Sequence, residues 1–203
     1  MKKSIKLSPS MTALQFENGY WYAEEIKDFA KKIGIPSARK LRKDELEKAI
    51  KNFLQTGQVK NLVKRNLSRS GVRDIELGLS LKLPIVNYTS NKVTKDFIVK
   101  EALKIAPNLK RKSGARYRLN RWRAEQLTKG IKITYGDLVK QYIKLNQTEG
   151  HFPQAPVGRY INFLSDFMKY EKGKSKEDAL QAWHKLKKLE IPKSYREWKK
   201  YHT

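Results

Sequence analysis

The stretch from Tyr20 to Leu54, YWYAEEIKDFAKKIGIPSARKLRKDELEKAIKNFL, constrains the fold more than any other. Trp21, Ile26, Phe29, Ala30 and Ile33 recur at helical spacing and line one face. Leu46, Ala49, Ile50, Phe53 and Leu54 make a second stripe of the same period. Gly34 sits where a left-handed cap ends the first helix, and Pro36 stops its continuation. Two short helices that bury their stripes must therefore be joined by a loop. That loop holds Arg39, Lys40, Arg42 and Lys43, just ahead of the second helix. A helix N-terminus carries unpaired N–H groups and partial positive charge. Cations beside it make a clamp for phosphate.

This stretch resembles the SAP domain, a small helix–extended loop–helix module that binds DNA. The resemblance rests on Ile26, Gly34-Ile35-Pro36-Ser37, Lys43, Glu45-Leu46 and Ile50. Arg39 stands where that family has a loop glycine, and the loop runs two residues longer before Lys43-Asp44-Glu45-Leu46. The longer spacing is similar to the helical N-terminal domain of the transcription terminator Rho. The resemblance covers about a sixth of the chain. It implies nucleic-acid binding and leaves DNA and RNA both open.

Charge points the same way. The chain has 203 residues, with 45 Lys and Arg against 20 Asp and Glu, a net charge of +25. Such a surplus opposes compaction by self-repulsion and favours a polyanionic partner, most commonly nucleic acid. It is unevenly spread. Residues 1–56 hold 12 cations and 7 acids, residues 57–135 hold 19 and 5, and residues from 136 onward hold 14 and 8. The densest run, LKRKSGARYRLNRWR at 109–123, interleaves Lys110, Arg111, Lys112, Arg116, Arg118, Arg121 and Arg123 with Tyr117 and Trp122. The two rings either stack on bases or close a small helical core. There is no cysteine, which excludes disulfides and thiolate metal sites. A reducing interior fits that composition, so the expected location is cytoplasmic, and nucleoid-associated if DNA is bound.

The remaining pattern predicts a mainly α protein. Residues 1–18 read as a flexible arm anchored by Phe16, 19–56 as the SAP-like domain and 57–93 as a basic linker or extended segment. Residues 94–150 read as a basic helical domain and 151–203 as an aromatic-rich unit of three helices. Val59, Leu62, Val63 and Leu67 fit a short helix ending near Ser68-Arg69-Ser70-Gly71. Leu77 to Leu83 alternates and stops at Pro84, which predicts a short β element near 77–88. Thr94 is expected to cap a helix over 94–106. Helical patterns over 119–127 and from Thr134 flank the turn Lys129-Gly130-Ile131-Lys132. Helix, glycine turn, helix is compatible with a helix-turn-helix, and the commoner ordinary helical hairpin has the same signature. The middle and terminal blocks resemble an uncharacterised bacterial region that accompanies SAP-like modules, which implies no activity.

Catalytic signals are weak. His151, His184 and His202 are scattered, without metal-ligand spacing. Asp74 and Glu76, followed by Lys82, come nearest to the clustered carboxylates a nuclease needs for Mg²⁺. No cofactor or metal is expected, and no run approaches the ~20 apolar residues of a membrane helix. The expectation is a non-enzymatic DNA-binding protein of low sequence specificity. Arg39, Lys40, Arg42, Lys43, Lys110, Arg111, Lys112, Arg116, Arg118, Arg121 and Arg123 would contact backbone phosphates, with double-stranded DNA as the leading partner. An RNA- or ribosome-associated protein is the alternative. A docking adaptor that takes a protein partner through the C-terminal helices is the third reading.

Overall fold

The computed structural model of the protein describes residues 6–60, 62 and 71–202. Among the described residues the fold is mainly α, with nine helices and no strand. They are α1 (Ala13–Asn18), α2 (Ala23–Lys32), α3 (Lys43–Thr56), α4 (Lys92–Ile105), α5 (Ala115–Thr128), α6 (Tyr135–Gln147), α7 (Arg159–Tyr170), α8 (Lys176–Lys187) and α9 (Tyr195–His202). The chain divides into two compact units. Unit one combines the two ends of the chain, up to Val63 and from Pro153, and unit two is Lys64–Phe152.

In unit one, α2 buries Ile26, Phe29 and Ala30, and α3 buries Leu46, Ala49 and Ile50 where the two helices pack. Gly34, at φ 82°, ends α2 as the spacing predicts. Its N–H donates to Lys31 O, and the Ile35 N–H reaches back to Ala30 O, so the last carbonyls of the helix are satisfied. The expected arm is shorter than its pattern indicates. Thr12 caps α1 in a reciprocal box with Gln15, and Phe16 is buried. The Trp21 Nε1–H donates to Phe16 O at 2.8 Å, which folds α1 back on the start of α2.

The C-terminal helices form an aromatic core. Phe163 lies 5.4 Å from Trp183, and Phe167 lies 5.1 Å from Trp198. Tyr20 joins them, edge-on to Trp183 at 4.9 Å. The sequence reading separates 19–56 from 151–203, but these stretches share one unit. Their contacts join residues more than a hundred positions apart, which no local pattern encodes.

In unit two, α6 packs against both α4 and α5. Ile98, Ala102, Leu119, Leu138, Val139 and Tyr142 form the centre of the core. The segment read as a linker contributes Ile85 and Tyr88 to that core. The expected β element near 77–88 does not form. Asp74–Leu77 is a 3₁₀ turn, and among the described residues the only β pairing is an isolated bridge between Pro84 and Thr134. The alternating residues 81–85 instead run beside the loop before α6. Ile85 N–H donates to Ile133 O, Tyr135 N–H to Leu83 O, and Gly136 N–H to Leu81 O. Asp74 is buried and ties this arrangement together. It accepts the Asn87 N–H at 2.6 Å, the Val86 N–H at 3.3 Å and the Tyr135 hydroxyl at 3.1 Å. Thr94 is not the cap of α4. The Asn91 side chain caps it, accepting the Thr94 N–H at 2.9 Å, so the helix starts two residues earlier and Thr94 is buried. Lys2, Lys3 and most of the helix expected around Val59–Leu67 lie outside the described residues, as does the break at 68–70.

Replacing Asp74 with Ala leaves three donors without their acceptor inside unit two. This should cost roughly 3 kcal/mol, read as a lower urea midpoint at unchanged slope. An unchanged midpoint would show that the carboxylate does not hold the segment.

Candidate nucleic-acid interface

The eleven cations named from sequence differ in exposure and in the protein groups they meet. Arg39 is exposed, but its guanidinium reaches the acids of α2, Asp28 at 2.7 Å and Glu24 at 3.5 Å. Arg42 precedes α3, and its N–H donates to the Glu45 carboxylate at 2.7 Å. With Asp44 also in the first turn, carboxylates already stand where a phosphate would sit. Lys43 turns inward. Its ammonium donates to Trp21 O at 2.8 Å and lies 5.0 Å from the Tyr20 ring centre. Burial lowers the Lys43 pKa and raises that of Glu47, 4.0 Å away, so desolvation outweighs their mutual attraction. Lys40 is exposed.

Two further cations act beside Lys43 on the α1–α2 connection. Arg159 donates to Gly19 O at 3.0 Å and pairs with Glu47 at 3.4 Å. Lys193 is buried and donates to Asn18 O, to Leu189 O at 2.5 Å and to Ile191 O at 2.7 Å. Burial, with help from the Arg159 charge, lowers the Lys193 pKa to about 8.

The 109–123 run is similarly divided. Lys112 donates to Thr148 O and Gly150 O, which caps the end of α6. Phe152 takes the Lys112 ammonium at 4.6 Å and the Arg118 guanidinium at 4.1 Å from its ring centre. Arg123 lies 3.6 Å over Tyr88, and Arg121 lies 6.0 Å from the ring of Tyr117. Arg116 is half-buried in a small pocket with Tyr88 and Tyr142. Lys110 and Arg111 are exposed. Successive spacings of two, three and two residues carry Arg116, Arg118, Arg121 and Arg123 around α5 rather than along one stripe. The two rings also divide. Trp122 packs on the core, whereas Tyr117 is 45 % exposed.

A more convergent set lies between α5 and α6, where sequence reading placed no site. Trp122, Ile131 and Ile133 line an open groove together with Lys132, Lys140, Lys144, Gln126 and Gln141. Asp137 is the one acid in the lining, and its carboxylate accepts the Thr134 N–H and hydroxyl, both at 2.9 Å. Those hydrogen bonds lower its pKa, the backbone one most. The available signal was the i, i+4 placement of Lys140 and Lys144, opposite the apolar face of α6.

The N-terminus of α6 is closed. Tyr135 and Gly136 N–H groups bond to Leu83 O and Leu81 O, and the Asp137 N–H to the Thr134 hydroxyl. A Cβ on Gly136 would come within 2.9 Å of Leu81 O, so the chain runs hard against this turn. A recognition helix reads bases with its N-terminal residues. In α6 the lysine-bearing flank is accessible instead.

The candidate carboxylate pair does not converge. Asp74 is buried, while Glu76 is exposed and paired with Arg73. Among the described residues no group of three or more His, Asp or Glu could hold a metal ion, and no helix is long and apolar enough to cross a membrane. No family model, curated protein or solved structure matches the chain.

The folded-state pKa of Lys193 lies below the ordinary value of about 10.4. Between about pH 8 and pH 10 the unfolded chain keeps this proton and the folded chain releases it. Unit one should therefore gain stability as pH rises through that window, by at most about 3 kcal/mol, since three carbonyls favour the ammonium. Denaturation of Lys193→Met should lack this rise. An equal rise in both proteins would assign it to other groups.

Proposed function

We propose that the protein binds nucleic acid without catalysing a reaction on it, and grips the phosphate backbone of duplex DNA chiefly through unit two. The convergence of Lys132, Lys140 and Lys144 on one groove, whose only acid is held in a helix cap, carries this reading. Unit two also concentrates charge, with 20 Lys and Arg against 7 Asp and Glu in Lys64–Phe152. Exposed Lys110 and Arg111 add to that field. Ammonium groups on flexible stems suit phosphates of either strand at any sequence, because backbone contacts position without specifying. The likeness of α2–α3 to SAP and Rho N-terminal modules supports the same class of partner, with Lys40 as its outward cation.

A second reading takes RNA as the partner. Exposed Tyr117 beside Arg121 favours it, since ring and guanidinium together suit an unpaired base. Competition between duplex DNA, single-stranded DNA and structured RNA separates the two.

Binding of duplex DNA should weaken steeply with salt. Replacing Lys132, Lys140 and Lys144 by Gln should lower the slope of log affinity against log salt by about 2.7, the share of three phosphate contacts. Arg39→Ala should change it far less. A triple variant with the wild-type slope would remove the groove from the interface, and a wild-type slope near zero would remove phosphate binding altogether.

A further inference from the structure

Unit one carries a basic and aromatic surface that the duplex-binding groove does not use. At the end of α7, Tyr170 is 56 % exposed and stacks on Tyr195, with ring centres 5.4 Å apart and planes 21° apart. Tyr195 is fixed from behind. Its hydroxyl donates to Glu171 at 2.5 Å, and its ring rests 5.8 Å from Trp198 and 6.4 Å from Phe167. Tyr170 is thus an exposed ring held on a rigid aromatic stack. One cation touches it and others follow in the chain. Lys169 lies 5.0 Å from its ring centre, Lys172 and Lys174 are exposed in the turn that follows, and Lys176 is exposed at the start of α8. The Lys174 charge acts on the carboxylates of Glu171 and Asp178, helping to lower their pKa values after the hydrogen bonds that each accepts. The nearby acids are largely engaged. Glu171 accepts Tyr195 and Lys199, and Asp178 accepts the Ser175 N–H and hydroxyl, which leaves exposed Glu177.

A preorganised ring with lysines beside it matches the chemistry that holds an unpaired nucleotide. The base stacks on the π-face, and the flanking phosphates meet ammonium groups. A duplex keeps its bases stacked on one another and offers no such face. We infer that the α7–α8 end of unit one binds single-stranded nucleic acid, with one base on Tyr170 and its phosphates against Lys172, Lys174 and Lys176. This rests on the nucleic-acid reading above and adds a second surface with a different substrate class. Lys169 is exposed and can swing from the ring to a phosphate as the base arrives.

The test uses the full chain, an oligothymidylate of about 20 nucleotides and a duplex of the same length, with binding followed by fluorescence anisotropy. Tyr170→Ala should weaken oligothymidylate binding about 10-fold or more, the loss expected for one stacked base, and leave duplex affinity within about two-fold. Tyr170→Trp should retain single-strand affinity, and its added indole emission should be quenched on binding. Circular dichroism of the Ala variant checks that the exposed substitution leaves the helices intact. Equal affinities of wild type and Tyr170→Ala for oligothymidylate would overturn the inference, as would equal losses on both ligands. Wild type that binds duplex but not oligothymidylate would overturn it while leaving the proposed function standing. Wild type that binds neither would remove both.

Discussion

Three carbonyl groups on the α1–α2 connection, those of Asn18, Gly19 and Trp21, each accept a hydrogen bond from a cation supplied elsewhere in the chain. Lys193 comes from the link between α8 and α9, Arg159 from α7, and Lys43 from α3. The rest of unit one depends on this clasp. The three short N-terminal helices, Ala13 to Thr56, are close to the size of about 40 residues below which a chain seldom folds alone. The aromatic rings of α7–α9 supply the missing surface, with Tyr20 against Trp183 at the junction. The carbonyls give that junction its register. Burying ammonium groups is costly unless every donor finds an acceptor, and Lys193 meets that condition with three. Unit two is thereby an insertion between two halves of one folded body.

Unit two uses the opposite charge for an equivalent purpose. Asp74 is a buried carboxylate with two backbone N–H groups and a hydroxyl as partners, and it fixes a loop rather than a helix end. It also pushes the Tyr135 hydroxyl pKa well above the ordinary range, after burial itself. Both units therefore place an ion where irregular backbone would otherwise leave polar groups unsatisfied. A surplus of +25 cannot be read as a map of the binding surface for this reason. Lys43, Lys112, Arg159 and Lys193 belong to the architecture.

What was legible in the sequence follows from the range of each interaction. The Gly34 cap and the α2 and α3 stripes join residues three to five apart, and both appear in the structure. The cap of α4 was misplaced because Asn91 and Thr94 both suit the role, and a local pattern does not rank them. The alternation over 77–83 has strand period, but its partner is the loop before α6, so one bridge forms instead of a ladder. The union of the chain ends and the role of Asp74 rest on contacts between distant residues. The candidate site was least legible. Density of charge pointed to 109–123, yet rotation around α5 scatters those arginines. Two lysines one helical turn apart on α6, with a third in the preceding turn, are the set that one groove collects.

In the proposed binding mode, cations bound to the protein's own carbonyls are distinct from those that would meet DNA phosphates. Lysine acetylation read by mass spectrometry, with and without duplex DNA, tests it residue by residue. Lys132, Lys140 and Lys144 should react readily in the free protein and become protected by DNA. Lys43, Lys112 and Lys193 should react slowly in both states. Protection centred on Lys40 and Lys43, with the α6 lysines still reactive in the complex, would contradict the account.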